Sequence, residues 1–301
     1  MPDVKLPGSG AGFTLPPRLA IAMAALIFST GGAAIKFADF TGWQVASFRS
    51  GIAAITLLLV LPGVRQGVTR RAVLVGVAYA ITLVSFVLAN RLTTSANAIY
   101  LQSTAPFFVL LLGPVLLHER VRRRDLPVIA AVLVGLALVM SGTDTPSRTA
   151  PDPARGNIIA LGSGAAYALM LCGLRWLGRS GAHASEALAA VVLGNVIACV
   201  ATLAFALPAG AHDAGDWLLI SYLGVVQIAL AYLLVTYGLR RVPALDASLL
   251  LLVETALNPL WTWLLLSEIP SGAALAGGAV IIGATVLQTV VATRAPVVEA
   301  A

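Results

Sequence analysis

The chain has 301 residues, of which 59% are hydrophobic and only 11% charged, with a mean hydropathy of +0.93. A soluble domain carries roughly 25% charged residues because its surface meets water, so this composition excludes a water-facing globule and calls for a lipid-facing exterior. The net charge of +6 does not point to nucleic acid, because the basic residues stand in short clusters between apolar runs, the layout of cytoplasmic loops.

A helix needs about 20 mainly apolar residues to cross the hydrocarbon core. Ten such runs follow one another: 19–37, 42–61, 72–90, 95–117, 126–142, 156–177, 185–207, 217–238, 244–266 and 271–292. The first is longer than the apolar core of a signal peptide and is preceded by a tail, 1–18, so it reads as a retained helix. Lys36, near its outer end, is expected to snorkel to the interface. The second run carries Arg49, a charge that needs a partner, water or a proton. The third presents Tyr79, Thr82, Phe86 and Asn90 at helical spacing, and the fourth Asn97, Tyr100, Thr104 and Phe107. Pro106 and Pro114 are expected to kink the fourth run.

A proline-rich linker, 143–155 (TDTPSRTAPDPAR), follows the fifth run at the chain midpoint. The two cysteines, Cys172 and Cys199, fall inside apolar runs and read as ordinary buried residues, with no disulfide or metal site implied. The eighth run offers Ser221, Tyr232 and Thr236. The ninth offers Ser248, Thr255, Asn258 and Thr262, together with a second embedded charge, Glu254, and a third helix-breaking residue, Pro259. Glycines such as Gly277 and Gly278 fit close helix packing.

Lys and Arg are distributed unevenly. Lys5, Arg18, Arg65, Arg70, Arg71, Arg120, Arg122, Arg123, Arg124, Arg175, Arg179, Arg240, Arg241 and Arg294 share one side, fourteen against Lys36, Arg91, Arg148 and Arg155 on the other. That bias sets both termini, 1–18 and 293–301, in the cytoplasm of a bacterial inner membrane. An even number of crossings is required to keep both tails on one side.

The halves resemble each other. LLLGPVLLHER ends the fourth run at Glu119, and NPLWTWLLLSE ends the ninth at Glu268, 149 positions later. Each ending is preceded by a proline (Pro106, Pro259) and followed by a small-residue helix. Five crossings per half is an odd number, so the second half is inverted relative to the first, the arrangement of many secondary transporters.

The ten-run layout, the two halves and the HER and SEI endings resemble the drug/metabolite transporter superfamily, in its EamA-type members. The resemblance runs from about residue 19 to residue 292. It implies an all-α polytopic membrane fold of ten transmembrane helices in two inverted five-helix repeats, 19–142 and 156–292, that rock against each other. Asn258-Pro259-Leu260-Trp261 in the ninth run is similar to the aromatic amino acid exporter branch, an analogy that implies amino acids as the leading substrate class.

On the residues themselves, stripes of hydroxyls, amides and rings suit small neutral or zwitterionic solutes with apolar parts. Tyr79, Asn97, Tyr100, Thr104, Tyr232 and Asn258 are the candidate substrate-binding residues. Arg49 and Glu254 serve either coupling or a structural pairing, possible between the two of them, and Pro106 and Pro259 are candidate gating kinks. Helix–helix hydrogen bonding is the alternative for each Ser, Thr and Asn. Catalytic residues, metal and cofactor are not expected: His118-Glu119 begins a zinc-protease string, but Arg122 stands where the second His belongs. The expected partners are a small-molecule substrate and membrane lipids, with a monomer sufficient for a path. Two other readings stay open, an exporter of cationic drugs or other metabolites and an intramembrane lipid-modifying enzyme; the latter needs catalytic acids or His clustered at one membrane face, whereas His118, His183 and His212 fall in three separate loops.

Overall fold

The computed structural model describes residues 15–116, 126–142, 145–179, 184–239, 242 and 244–294. Among these residues ten helical rods follow the ten apolar runs. They are α1 (Pro17–Phe37), α2 (Gly42–Val60), α3 (Arg70–Leu92), α4 (Ser95–Leu116), α5 (Leu126–Ser141), α6 (Pro153–Leu177), α7 (Ala184–Ala206), α8 (Ala214–Gly238), α9 (Ala244–Leu266) and α10 (Gly272–Arg294). Seven are long and apolar enough to cross a membrane over their described residues, and Leu126–Ser141, Leu250–Leu266 and Gly272–Leu287 are shorter apolar helices. Leu59, Val115, Leu218 and Trp263 stand exposed on the outside, as lipid contact requires.

Polar residues between the runs start the helices. Thr41 and Gln44 form a reciprocal capping box at α2, while Thr69, Thr94 and Asp213 accept the first free backbone N–H groups of α3, α4 and α8. Each of these caps satisfies a donor that lipid cannot.

Three rods are irregular. α1 breaks at Thr30, before Gly31 and Gly32. α4 breaks at Ser103 and Thr104, where the Thr104 hydroxyl donates to the Leu101 carbonyl at 2.6 Å; Pro106 stands in the first turn of the new segment, where a missing N–H costs least. Within α8, Tyr222–Leu230 widens into a π-helix. The breaks in α1 and α8 touch: the Thr30 and Tyr222 hydroxyls share a hydrogen bond of 2.7 Å. Pro259, by contrast, sits inside an uninterrupted α9.

The packing carries the signature of a duplication. Helix α2 lies on α7, α4 on α9, and α5 on α10. The remaining strong contacts come in pairs that interchange when each helix is replaced by its counterpart five places on: α3–α6 with α1–α8, α3–α7 with α2–α8, and α1–α9 with α4–α6. This is the packing expected of two five-helix repeats related by inversion. Close approach along these seams depends on missing side chains. A Cβ on Gly194 of α7 would stand 2.4 Å from the Tyr79 ring, and one on Gly277 of α10 would stand 2.5 Å from the Gly135 carbonyl of α5.

Candidate functional site

Near the middle of the bundle α2, α3, α6, α7, α8 and α9 bring together two charges and three tyrosines. Arg49 is 2% exposed; one of its terminal nitrogens donates to the Leu83 carbonyl at 3.3 Å, while its Nε meets no hydrogen-bond partner. Beside it, the Tyr79 and Tyr232 rings meet edge to face at 5.7 Å, and Phe28 of α1 packs on the other side of Tyr232 at 5.3 Å. The Arg49 charge acts on both of these tyrosines, and the Glu254 carboxylate acts on Tyr232 and Tyr167. Tyr232 therefore stands between a cation and an anion.

Several polar atoms here have nothing to bind. The Gln227 Oε1 and both amide atoms of Asn258 are buried without a hydrogen-bond partner, while the Tyr79 hydroxyl lies beside Tyr232 and Asn195. Each such group costs about 1–3 kcal/mol if it stays unsatisfied. Glu254 is only half-buried, as are Leu250 to Val253 and Tyr232 to Tyr237. Every residue from Thr93 to Leu101 is buried.

The structure separates the six substrate-binding candidates into two groups. Tyr79 and Tyr232 meet at the centre, and Asn258 lies against Gly32 of α1. Asn97, Tyr100 and Thr104 sit between helices. The Asn97 amide donates to Asn157 of α6 at 3.2 Å, Tyr100 lies over Gly278 of α10, and Thr104 closes the break in its own helix. Tyr167 and Asn195 were not among the candidates; the signal available was a lone Asn in an apolar run (VVLGNVIACV) and a lone Tyr in another.

The two embedded charges do not pair: among the described residues, Arg49 and Glu254 make no ion pair with each other. The expectation that Lys36 snorkels to the interface is overturned. Lys36 points inward, forming an ion pair with Glu268 in which both side chains are 3% exposed. Its ammonium also donates to the carbonyls of Thr93 at 2.8 Å and Thr149 at 2.6 Å, which uses all three of its donors. The other Glu268 oxygen accepts the Ser95 N–H at 2.6 Å. The reason lies in the chain after α9, where Ser267 adopts a left-handed φ of 53° and turns Glu268 back under the helix ends. A polar pocket of about 350 Å³ lies above this pair, lined by Thr94, Ser147, Arg148, Thr149, Ser267 and Glu268.

A larger groove of about 880 Å³ runs along α8 beside Phe37, Leu218, Tyr222 and Val226. Its apolar lining on the outer flank of the bundle makes it a lipid-side feature rather than the solute site. His212 stacks on Phe40 at 3.9 Å, and no group of three or more His, Cys, Asp or Glu residues suited to a metal occurs among the described residues. His118, Glu119 and His183 lie outside the described residues, and so does the Ser248 side chain.

Comparison with known proteins places this architecture. Over 273 residues the chain is 25% identical to the pseudopaline exporter CntI of Pseudomonas aeruginosa, in two strains, covering 88% of this chain and 92% of the relative. A solved crystal structure superposes with a TM-score of 0.60 at 21% identity, over 92% of this chain and 98% of that one, a likeness that shows the fold. The EamA-like transporter family matches residues 16–141 and 154–290. The chain is a multi-pass membrane protein that belongs to the EamA-like transporter family of the drug/metabolite transporter superfamily.

Proposed function

We propose that this transporter exports small zwitterionic metabolites, amino acids foremost, across a bacterial inner membrane. The carrying observation is the two embedded charges near the tyrosines: Arg49, whose Nε has no hydrogen-bond partner, and the partly buried Glu254, with Tyr232 close to both. A carboxylate on Arg49, an ammonium on Glu254 and an apolar side chain against the rings is the solute those groups complement. The halves 19–142 and 156–292 are the units that rock, with both tails cytoplasmic by the positive-inside bias, and Pro106 beside the α4 break and Pro259 in α9 are the flexing points.

The relative named a pseudopaline exporter supports the outward direction and makes pseudopaline the second solute to test. A cationic drug would use Glu254 and leave Arg49 repelling it, so the charge pair favours the zwitterion.

The test is uptake of radiolabelled amino acids into proteoliposomes, for the wild type and Glu254→Gln, with and without a proton gradient. Flux that follows the gradient and is lost in Glu254→Gln is expected, which makes Glu254 the coupling carboxylate. Flux that survives both changes would leave a facilitator, and no flux across a broad metabolite panel would overturn the substrate class.

A further inference from the structure

The geometry points to Lys36 and Glu268 as the gate of the transport path at the face carrying the midpoint linker. The pair ties together the parts that must separate for that face to open. Lys36 ends α1 of the first half, Glu268 follows α9 of the second, Ser95 opens α4, and Thr149 belongs to the segment joining the halves. Around the pair, Thr93 donates to Asn157 at 2.6 Å and Ser95 to Asn90 at 2.8 Å, so the closed end is a continuous hydrogen-bonded layer. One helical turn beneath it, Gly32 of α1 rests on Asn258 of α9, whose amide has no partner.

The layer therefore sits directly between the central tyrosines and the linker-face pocket lined by Arg148 and Glu268. In the proposed gate, a solute leaving the centre toward that face passes between α1 and α9, which this pair holds together. A buried ion pair that is fully satisfied closes the gap without making it irreversible, because water admitted from the pocket can solvate both charges as they part. The inference rests on the alternating-access reading but not on the identity of the solute.

The experiment uses the full-length chain with Cys172→Ala and Cys199→Ala, carrying Asn258→Cys as reporter, in right-side-out and inside-out vesicles treated with a membrane-impermeant maleimide. Lys36→Met alone leaves a buried carboxylate unpaired and can fail to fold. The double variant Lys36→Met/Glu268→Gln removes both charges and keeps the Ser95 contact, so it carries the test. The expected result is a labelling rate from the linker face at least tenfold above the parent with the pair intact. A linker-face rate within twofold of that parent, including no labelling at all, overturns the gate. The rate from the other face separates the two readings. A rise at the linker face accompanied by a fall opposite supports both the gate and rocking; a rise with no fall keeps the gate and removes rocking.

Discussion

Two ionic sites lie within one bundle and are built in opposite ways. At the linker face Lys36 and Glu268 exhaust each other's hydrogen-bonding capacity with help from Thr93, Thr149 and Ser95. At the centre Arg49 has one long contact to a helix carbonyl, its Nε has none, and Glu254 is half-open. Burial alone does not separate them, since Arg49 is as buried as Lys36. What separates them is whether the protein itself answers the charge. An answered pair holds helices in place, whereas an unanswered pair is an appetite for something that arrives and leaves.

That contrast breaks cleanly under substitution. The largest effect is expected for Lys36→Met alone, which strands the Glu268 carboxylate and should cost about 3–5 kcal/mol, while the double change with Glu268→Gln returns most of it. Thermal unfolding in detergent measures both, and equal losses in the single and double variants would show that the charge is not the cause. Arg49→Leu should do the reverse. It removes an unpaired buried charge, so stability should stay within about 1 kcal/mol, but transport should fall by roughly 10–100-fold if the guanidinium holds the solute carboxylate. A matching collapse of stability would move Arg49 to the structural side. The smallest effect is expected at Ser267, where Ser267→Gly relieves the left-handed backbone and should raise stability by about 0.5–1 kcal/mol. The same unfolding measurement reads it, and a loss would mean the serine side chain anchors the turn.

The ten crossings were legible because a lipid-facing helix has to advertise itself as a long apolar run, and the rods begin and end within a few residues of those runs. The breaks were not. Pro106 stands beside the α4 break at Ser103 and Thr104, but Pro114 and Pro259 sit inside unbroken helical segments, and the α1 break and the π-stretch of α8 have no proline at all. They arise where Thr30 meets Tyr222, a tertiary event. The same limit applies to the polar stripes. Tyr79, Asn97, Tyr100 and Thr104 all repeat at helical spacing, but only the neighbouring helix decides whether a stripe faces the centre or a seam. Tyr100 faces Gly278, a glycine whose packing role the sequence did reveal, while its partner across the seam stayed unspecified. Proximity of Lys36 to a helix end does not by itself give access to water, because the turn at Ser267 brings the Glu268 carboxylate inward to meet it.

The carbonyl of Thr149 on the Lys36 ammonium has a consequence for the whole cycle. In the proposed rocking cycle, identical inverted halves would favour neither closed form, so differences between the halves and the contacts at each face decide which one prevails. The connecting segment crosses only one face, and by adding a ligand to the pair there it weights one form over the other. On that proposal, the linker contact contributes to which form the molecule rests in.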